Sequence, residues 1–258
     1  MSRRHSLGSG SSARSLGAMR SGLTVAFDAD DTLWHNENAF ADVEQLFNEL
    51  VAPWADAETA ERVLIAQERA RVDTYGYGVK SFALSMIAAA CDLSDHEIDA
   101  RTLRRFVEAA DDLLAMPTVA IDGAVEALEA ISAEHPTLII TKGDLHHQLR
   151  RIDEANVARF CFDIEVVADK DPGTYRRILS RHRIDPARFV MIGNSIVSDV
   201  APLVEIGAQA IHVPYETTWA LETATEDPPR PDRWTRVESI REAPAIVASI
   251  AAALETSA

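Results

Sequence analysis

The sequence predicts an α/β fold, a doubly wound parallel sheet with a small all-α domain inserted after its first strand. Three observations lead there. An apolar run of strand character, Thr24 to Phe27, stops abruptly at Asp28, Asp30 and Asp31. Helical periodicity then persists for about 80 residues, far more than a plain crossover between parallel strands needs. From Pro117 onward, short apolar strands alternate with helices.

Each element has its own signal. Residues 1–20, rich in Ser, Gly and Arg, lack the apolar segment of a secretory signal and read as a disordered extension. The core is expected over 21–35 and 117–258, with the helical insertion over 36–116. In the insertion, Phe40, Val43, Leu46, Phe47 and Leu50 recur at helical spacing until Pro53 and Trp54 break the pattern. Ala57 to Val72 and Lys80 to Ala90 read as two further helices around the Tyr75–Gly78 loop. Ser94 is expected to cap a fourth, ended by Met116 and Pro117. In the core, strands are expected at Thr137–Thr141, Phe162–Val167, Phe189–Gly193 and in Gln209–Pro214. Helices are expected at Asp122–Glu134, Asp144–Ala155, Pro172–His182, Ser198–Gly207 and Ser239–Leu254. Thr217 to Pro231 is polar, Pro-rich and expected as loop.

Composition narrows the function. The 258 residues carry 41 acidic and 25 basic side chains, a net charge of -16. The first 20 residues hold Arg3, Arg4, Arg14 and Arg20 and no acid, so the remainder is more acidic still. Such a body is a poor non-specific ligand for nucleic acid or anionic membrane, and no apolar run has the length of a membrane span. An anionic substrate then needs a local cation, either a metal or placed basic groups. Cys91 and Cys161 share no metal or redox spacing and fit a reducing cytoplasm. The three lysines, Lys80, Lys142 and Lys170, stand out in a chain whose cations are otherwise arginines, as positions that want a compact ammonium.

Ligands of open α/β sheets bind beyond the carboxyl ends of the strands. Four expected strand ends carry polar groups suited to one task. The first delivers Asp28 and Asp30. The second delivers Thr141, Lys142 and Asp144. The third precedes Lys170, and the fourth delivers Gly193, Asn194 and Ser195 with Asp199 shortly after. Paired carboxylates, a hydroxyl, an ammonium and a distal acid are the parts needed for phosphoryl transfer to a carboxylate with a divalent metal.

The ordered set Asp28-x-Asp30-x-Thr32, Thr141, Lys170 and Gly193-Asn194-Ser195-x-x-x-Asp199 resembles the four motifs of the haloacid dehalogenase-like (HAD) superfamily, from about residue 23 to 215. The resemblance implies a Rossmann-like core, a helical cap, and Mg2+-dependent hydrolysis of a small phosphorylated metabolite. It implies Asp28 as the nucleophile that becomes phosphorylated and Asp30 as general acid and base. Thr141 and Lys170 would hold the phosphoryl group, with Lys142 the rival lysine. The Mg2+ ligands would be the carboxylates of Asp28 and Asp199 and the main-chain carbonyl of Asp30. True haloacid dehalogenases lack an acid at the position of Asp30, so its presence favours a phosphatase over a 2-haloacid dehalogenase. Asp31 stands where Gly is usual and Asn194 where Asp is common, which keeps a non-catalytic binding protein as a further alternative.

Overall fold

The first strand, β1 (Thr24–Phe27), is buried along its whole length and lies inside a six-stranded parallel sheet. The strand order is β3-β2-β1-β4-β5-β6, with β2 at Thr137–Lys142, β3 at Asp163–Val167, β4 at Phe189–Gly193, β5 at Gln209–His212 and β6 at Trp234–Arg236. The computed structural model describes residues 22–217, 219–224 and 226–256. The extension expected over residues 1–20 lies outside the described residues.

Side chains alternate across the sheet. Val25 and Phe27 of β1 join one core with Ile139, Val190 and Ile192, while Ala26 faces the other core with Leu138, Ile140 and Met191. Both faces are covered, so the inner strands β1, β2 and β4 are near-continuously apolar and stand out in the sequence. Helices α5 (Ala124–Glu134), α6 (Leu145–Glu154) and α9 (Ala243–Thr256) cover the first face. Helices α7 (Pro172–His182) and α8 (Ala201–Glu205) cover the second. The order of connection reverses between β1 and β4, creating the crevice where such sheets bind ligands.

The insertion consists of α1 (Glu37–Val51), α2 (Ala57–Tyr75), α3 (Val79–Leu93) and α4 (Ala100–Ala115). It has a core of its own, in which Phe47 and Phe106 pack with ring centroids 5.6 Å apart beside Leu64, Phe82 and Met86. The molecule is thus a Rossmann-like α/β core with an all-α cap. Among the described residues, no helix is long and apolar enough to cross a membrane.

Three local expectations change. Ser94 ends α3 instead of starting α4. Its hydroxyl accepts the N–H of Ile98 across a turn in which Asp95 and His96 take positive φ, and Asp99 supplies the cap of α4. The helix expected from Ser198 begins earlier, as a π-helical turn at Ile196–Val200 that leads into α8. The strand β6 is an addition to the expected set, because three residues with only Trp234 apolar carry no periodic signal.

Candidate active site

Asp28 follows β1 directly and is 6% exposed. Its N–H donates to Ile192 O of β4 at 2.9 Å, continuing the sheet by one residue and fixing the carboxylate at the crevice. The Thr32 hydroxyl donates to Oδ2 at 3.1 Å, and Lys170 Nζ donates to Oδ1. The same ammonium donates to Asp199 Oδ1 at 2.7 Å. Lys170 immediately precedes the N-cap of α7, where Asp171 accepts the Thr174 N–H at 2.6 Å and Pro172 starts the helix. Asp199 sits in the π-helical turn and accepts the Ser195 N–H at 3.1 Å. Its carboxylate lies where a Cβ on residue 193 would be, so β4 must end in Gly193.

Two buried carboxylates thus share one buried ammonium. Burial pushes the Asp28 carboxyl above its usual range, and Lys170 only partly offsets it. Burial works against the Lys170 charge too, but Asp199 and Asp28 outweigh it and hold the ammonium above its ordinary value. Negative charge therefore remains uncompensated beside Asp28.

Asp30 points to a different set of partners. Trp34 Nε1 donates to Oδ1 at 2.7 Å, Arg151 Nη1 to the same oxygen at 2.9 Å, and Gln148 Nε2 to Oδ2 at 2.7 Å. Arg151 also reaches the Asn36 side chain at 2.6 Å and His35 O at 2.7 Å, tying Asp30 to the entry of the cap. Asp31, at φ 59°, takes the left-handed conformation that explains why Gly is usual there. Its carboxylate accepts the N–H groups of Asn36 at 2.8 Å and Glu37 at 3.1 Å. It caps the chain entering α1, and burial, opposed by those hydrogen bonds, pushes its carboxyl up to about 7.

The two candidate lysines after β2 and β3 separate. Lys170 joins Asp28, whereas Lys142 Nζ donates to Glu222 and to Ser198 Oγ at 2.9 Å, and lies 4.0 Å from the Tyr77 ring centroid. Thr141 is buried, and its hydroxyl accepts Gln148 Nε2 at 2.8 Å. Sequence reasoning missed Glu222, Arg151 and Gln148. Glu222 also accepts the hydroxyls of Ser195 and, at 2.7 Å, Ser198. Burial pushes its carboxyl up, but Lys142 and the two serines hold it below the ordinary value.

Asp28, Asp30, Thr141, Lys142, Lys170 and Glu222 line a cleft of about 140 Å3 between core and cap, whose cap side includes Phe40, Phe82 and Tyr77. Trp219 lines it too and donates its indole N–H to Glu68 at 3.4 Å. Trp34 is fully buried as a donor to Asp30, and Tyr75 is exposed. Lys80, mostly exposed, pairs with Asp144 at 3.0 Å and ties the cap to the core.

A divalent cation fits the crevice. The donors there are oxygens, the carboxylates of Asp28 and Asp199 and the Asn194 amide oxygen, which accepts the Thr32 hydroxyl at 3.5 Å. A hard cation such as Mg2+ prefers that set, and the excess negative charge favours it. The Asp30 carboxylate is already engaged by Trp34, Arg151 and Gln148. Another group, Asp163, Glu165 and His182, converges within 4.8 Å, but it starts at the opposite end of the parallel sheet and Arg181 occupies Glu165.

Known proteins resemble this chain in sequence and fold. Residues 23–207 match the haloacid dehalogenase-like hydrolases. A haloacid dehalogenase-like family hydrolase from Xanthomonas campestris is 36% identical over 92% of this chain and 95% of its own, with a TM-score of 0.82. A predicted phosphoglycolate phosphatase from Haemophilus somnus shares 15% identity over 88% of this chain and 99% of its own (TM-score 0.59). An L-2-haloacid dehalogenase from Xanthobacter autotrophicus shares 14% over 88% and 98% (TM-score 0.57). The last two likenesses speak to the fold alone. No curated protein matches the chain. By its matched residues and the 36% identical structure, the chain belongs to the haloacid dehalogenase-like hydrolases.

Proposed function

We propose that the protein is a Mg2+-dependent phosphatase that hydrolyses a small phosphorylated metabolite through an aspartyl-phosphate on Asp28, with Asp30 as general acid and base. The observation that carries this reading is the carboxyl of Asp30, oriented at the cleft by Trp34, Gln148 and Arg151. Displacement of a carbon-bound halide needs no acid for its leaving group, whereas a leaving alkoxide does.

An Asp28 oxygen attacks phosphorus, and the bond to the ester oxygen breaks. Asp30 gives its proton to that oxygen, releasing the alcohol. Asp30 then takes a proton from water as the water attacks the aspartyl-phosphate, and the P–O bond to Asp28 breaks to give inorganic phosphate. Lys170 spreads positive charge over Asp28 and the transferring oxygens, and the Thr141 hydroxyl donates to one of them. Asp28, Asp199 and the Asp30 carbonyl would hold Mg2+, which would neutralise phosphoryl charge when bound. The cap excludes water during the first transfer and contacts the leaving group.

A phosphate-release screen over phosphorylated metabolites with Mg2+ tests this, with Asp28→Asn as the blank. Wild type should release phosphate while the folded variant releases none. Activity retained by Asp28→Asn, or halide release from 2-haloacids without Mg2+, would overturn it.

A further inference from the structure

This inference rests on the phosphatase reading and concerns the group that leaves. The cap wall of the cleft is acidic. Glu37 and Glu44, two turns apart on one face of α1, line it with Glu68 of α2. Glu68 is 6% exposed, and its Oε2 receives only the long indole contact from Trp219. Among the described residues no lysine or arginine pairs with any of the three. Burial pushes all of them up, Glu37 to about 8 and Glu68 to about 7, and neighbouring acids push further. Glu68 is buried and Glu37 and Glu44 are half-buried; unpaired like charges so placed are costly, and an external cation relieves them.

Aromatic rings independently point the same way. Tyr77 and Trp219 meet edge-on with centroids 5.7 Å apart, and Phe40 packs on Phe82 at 5.2 Å, all lining this cleft. Ring faces attract ammonium groups, and Lys142 over Tyr77 already uses one. The carboxylates of Glu37, Glu44 and Glu68 do not all lie within 4.8 Å of one another. The cleft is polarised. Its lysines, Lys142 and Lys170, lie at the core end with Asp28, and its unpaired carboxylates lie at the cap end.

We propose that the substrate is the phosphate monoester of an alcohol bearing an amino or quaternary ammonium group, with the phosphoryl group at Asp28 and the cation among Glu37, Glu44 and Glu68.

The test compares kcat/KM, with Mg2+, for 2-aminoethyl phosphate, its neutral isostere propyl phosphate, and phosphoglycolate. The aminoethyl ester should exceed the propyl ester at least tenfold, with phosphoglycolate lowest. Glu68→Gln and Glu44→Gln should each narrow the aminoethyl-to-propyl ratio at least fivefold in variants shown by circular dichroism to be folded. A propyl ester that equals or exceeds the aminoethyl ester, or a ratio unmoved in both variants, overturns the proposal and leaves the phosphatase reading intact. A second arm needs no turnover. Ethanolammonium should bind wild type by ligand-observed NMR, weaken in Glu68→Gln, and outcompete propanol, and its failure to bind wild type overturns the proposal. Release of phosphate from no ester, p-nitrophenyl phosphate included, sinks the phosphatase reading, and the binding arm alone then decides whether the wall takes an ammonium.

Discussion

Lys170 Nζ lies 2.7 Å from Asp199 Oδ1, and the same ammonium contacts Asp28 from the other side. Both carboxylates are almost fully buried, open only to the cleft they line. The structure has one positive charge to hold two negative ones, and it places that charge on the side chain with three rotatable donors and no planar fork.

Lys170→Met should therefore damage both folding and chemistry. Removing one partner from a buried ion pair costs about 3–5 kcal/mol, because the remaining charges are stranded. The folded ammonium titrates above its ordinary 10.5, so its contribution is complete at pH 7 to 8 and is lost only in strong base. The melting temperature should fall at pH 7.5, and the deficit should shrink toward pH 5 as the stranded Asp28 carboxyl, already raised by burial, protonates. On the proposed reaction, phosphate release should drop about 100- to 1,000-fold. Lys170→Arg should not restore it, and full recovery by arginine would sink this account.

Asp199→Asn tests the metal. EDTA should abolish phosphate release and added Mg2+ should restore it. In the variant, the half-saturating Mg2+ concentration should rise at least tenfold while Lys170 keeps Asp28 as a partner. Magnesium titration of activity, with magnesium binding followed separately by calorimetry, reads the effect. An unchanged magnesium requirement would remove Asp199 from the ligand set.

Gly193→Ala tests the close approach behind Asp199. Its Cβ would overlap the Asp199 carboxyl, and Asp199 is pinned by Ser195 N–H and Lys170. Backbone or carboxylate must shift. We expect a loss of about 1–3 kcal/mol in urea unfolding and a weakened magnesium response. Wild-type stability together with a wild-type magnesium response would contradict the observed packing.

Much of the fold and the site is legible in the sequence, for a physical reason. A strand buried on both faces has to be an apolar run, and the residues just beyond its carboxyl end have to be polar if they bind anything. Asp28 follows such a run directly, and Lys170, 142 positions on, comes after the more mixed edge strand β3. Arg151 is not legible, because it is one arginine among many and matters only because α6 aims it at Asp30 and the start of the cap. Glu222 lies in a polar, aperiodic stretch, where nothing local separates a carboxylate that meets Lys142, Ser195 and Ser198 from one that meets water. Asp31 is visible but undirected, and its job as an anchor for α1 depends on a backbone turn that the sequence only hints at by replacing Gly.

The cap acids set the direction of pH dependence, and Glu68→Gln isolates one of them. Burial, with Glu44 adding to it, moves Glu68 from 4.5 to about 7 on folding. Between those values the folded state holds the proton more tightly than the unfolded chain does. Wild-type stability must therefore fall as pH rises from 4.5 to 7, and this contribution levels off above that range. Glutamine keeps an oxygen to accept the Trp219 indole N–H and has no charge to desolvate. The variant should match wild type near pH 4 and exceed it above pH 7, by up to about 3 kcal/mol at roughly 1.4 kcal/mol per pKa unit. Thermal melts at pH 4, 6 and 8 read this directly. If Glu68→Gln is no more stable than wild type at pH 8, Glu68 is not an uncompensated buried charge.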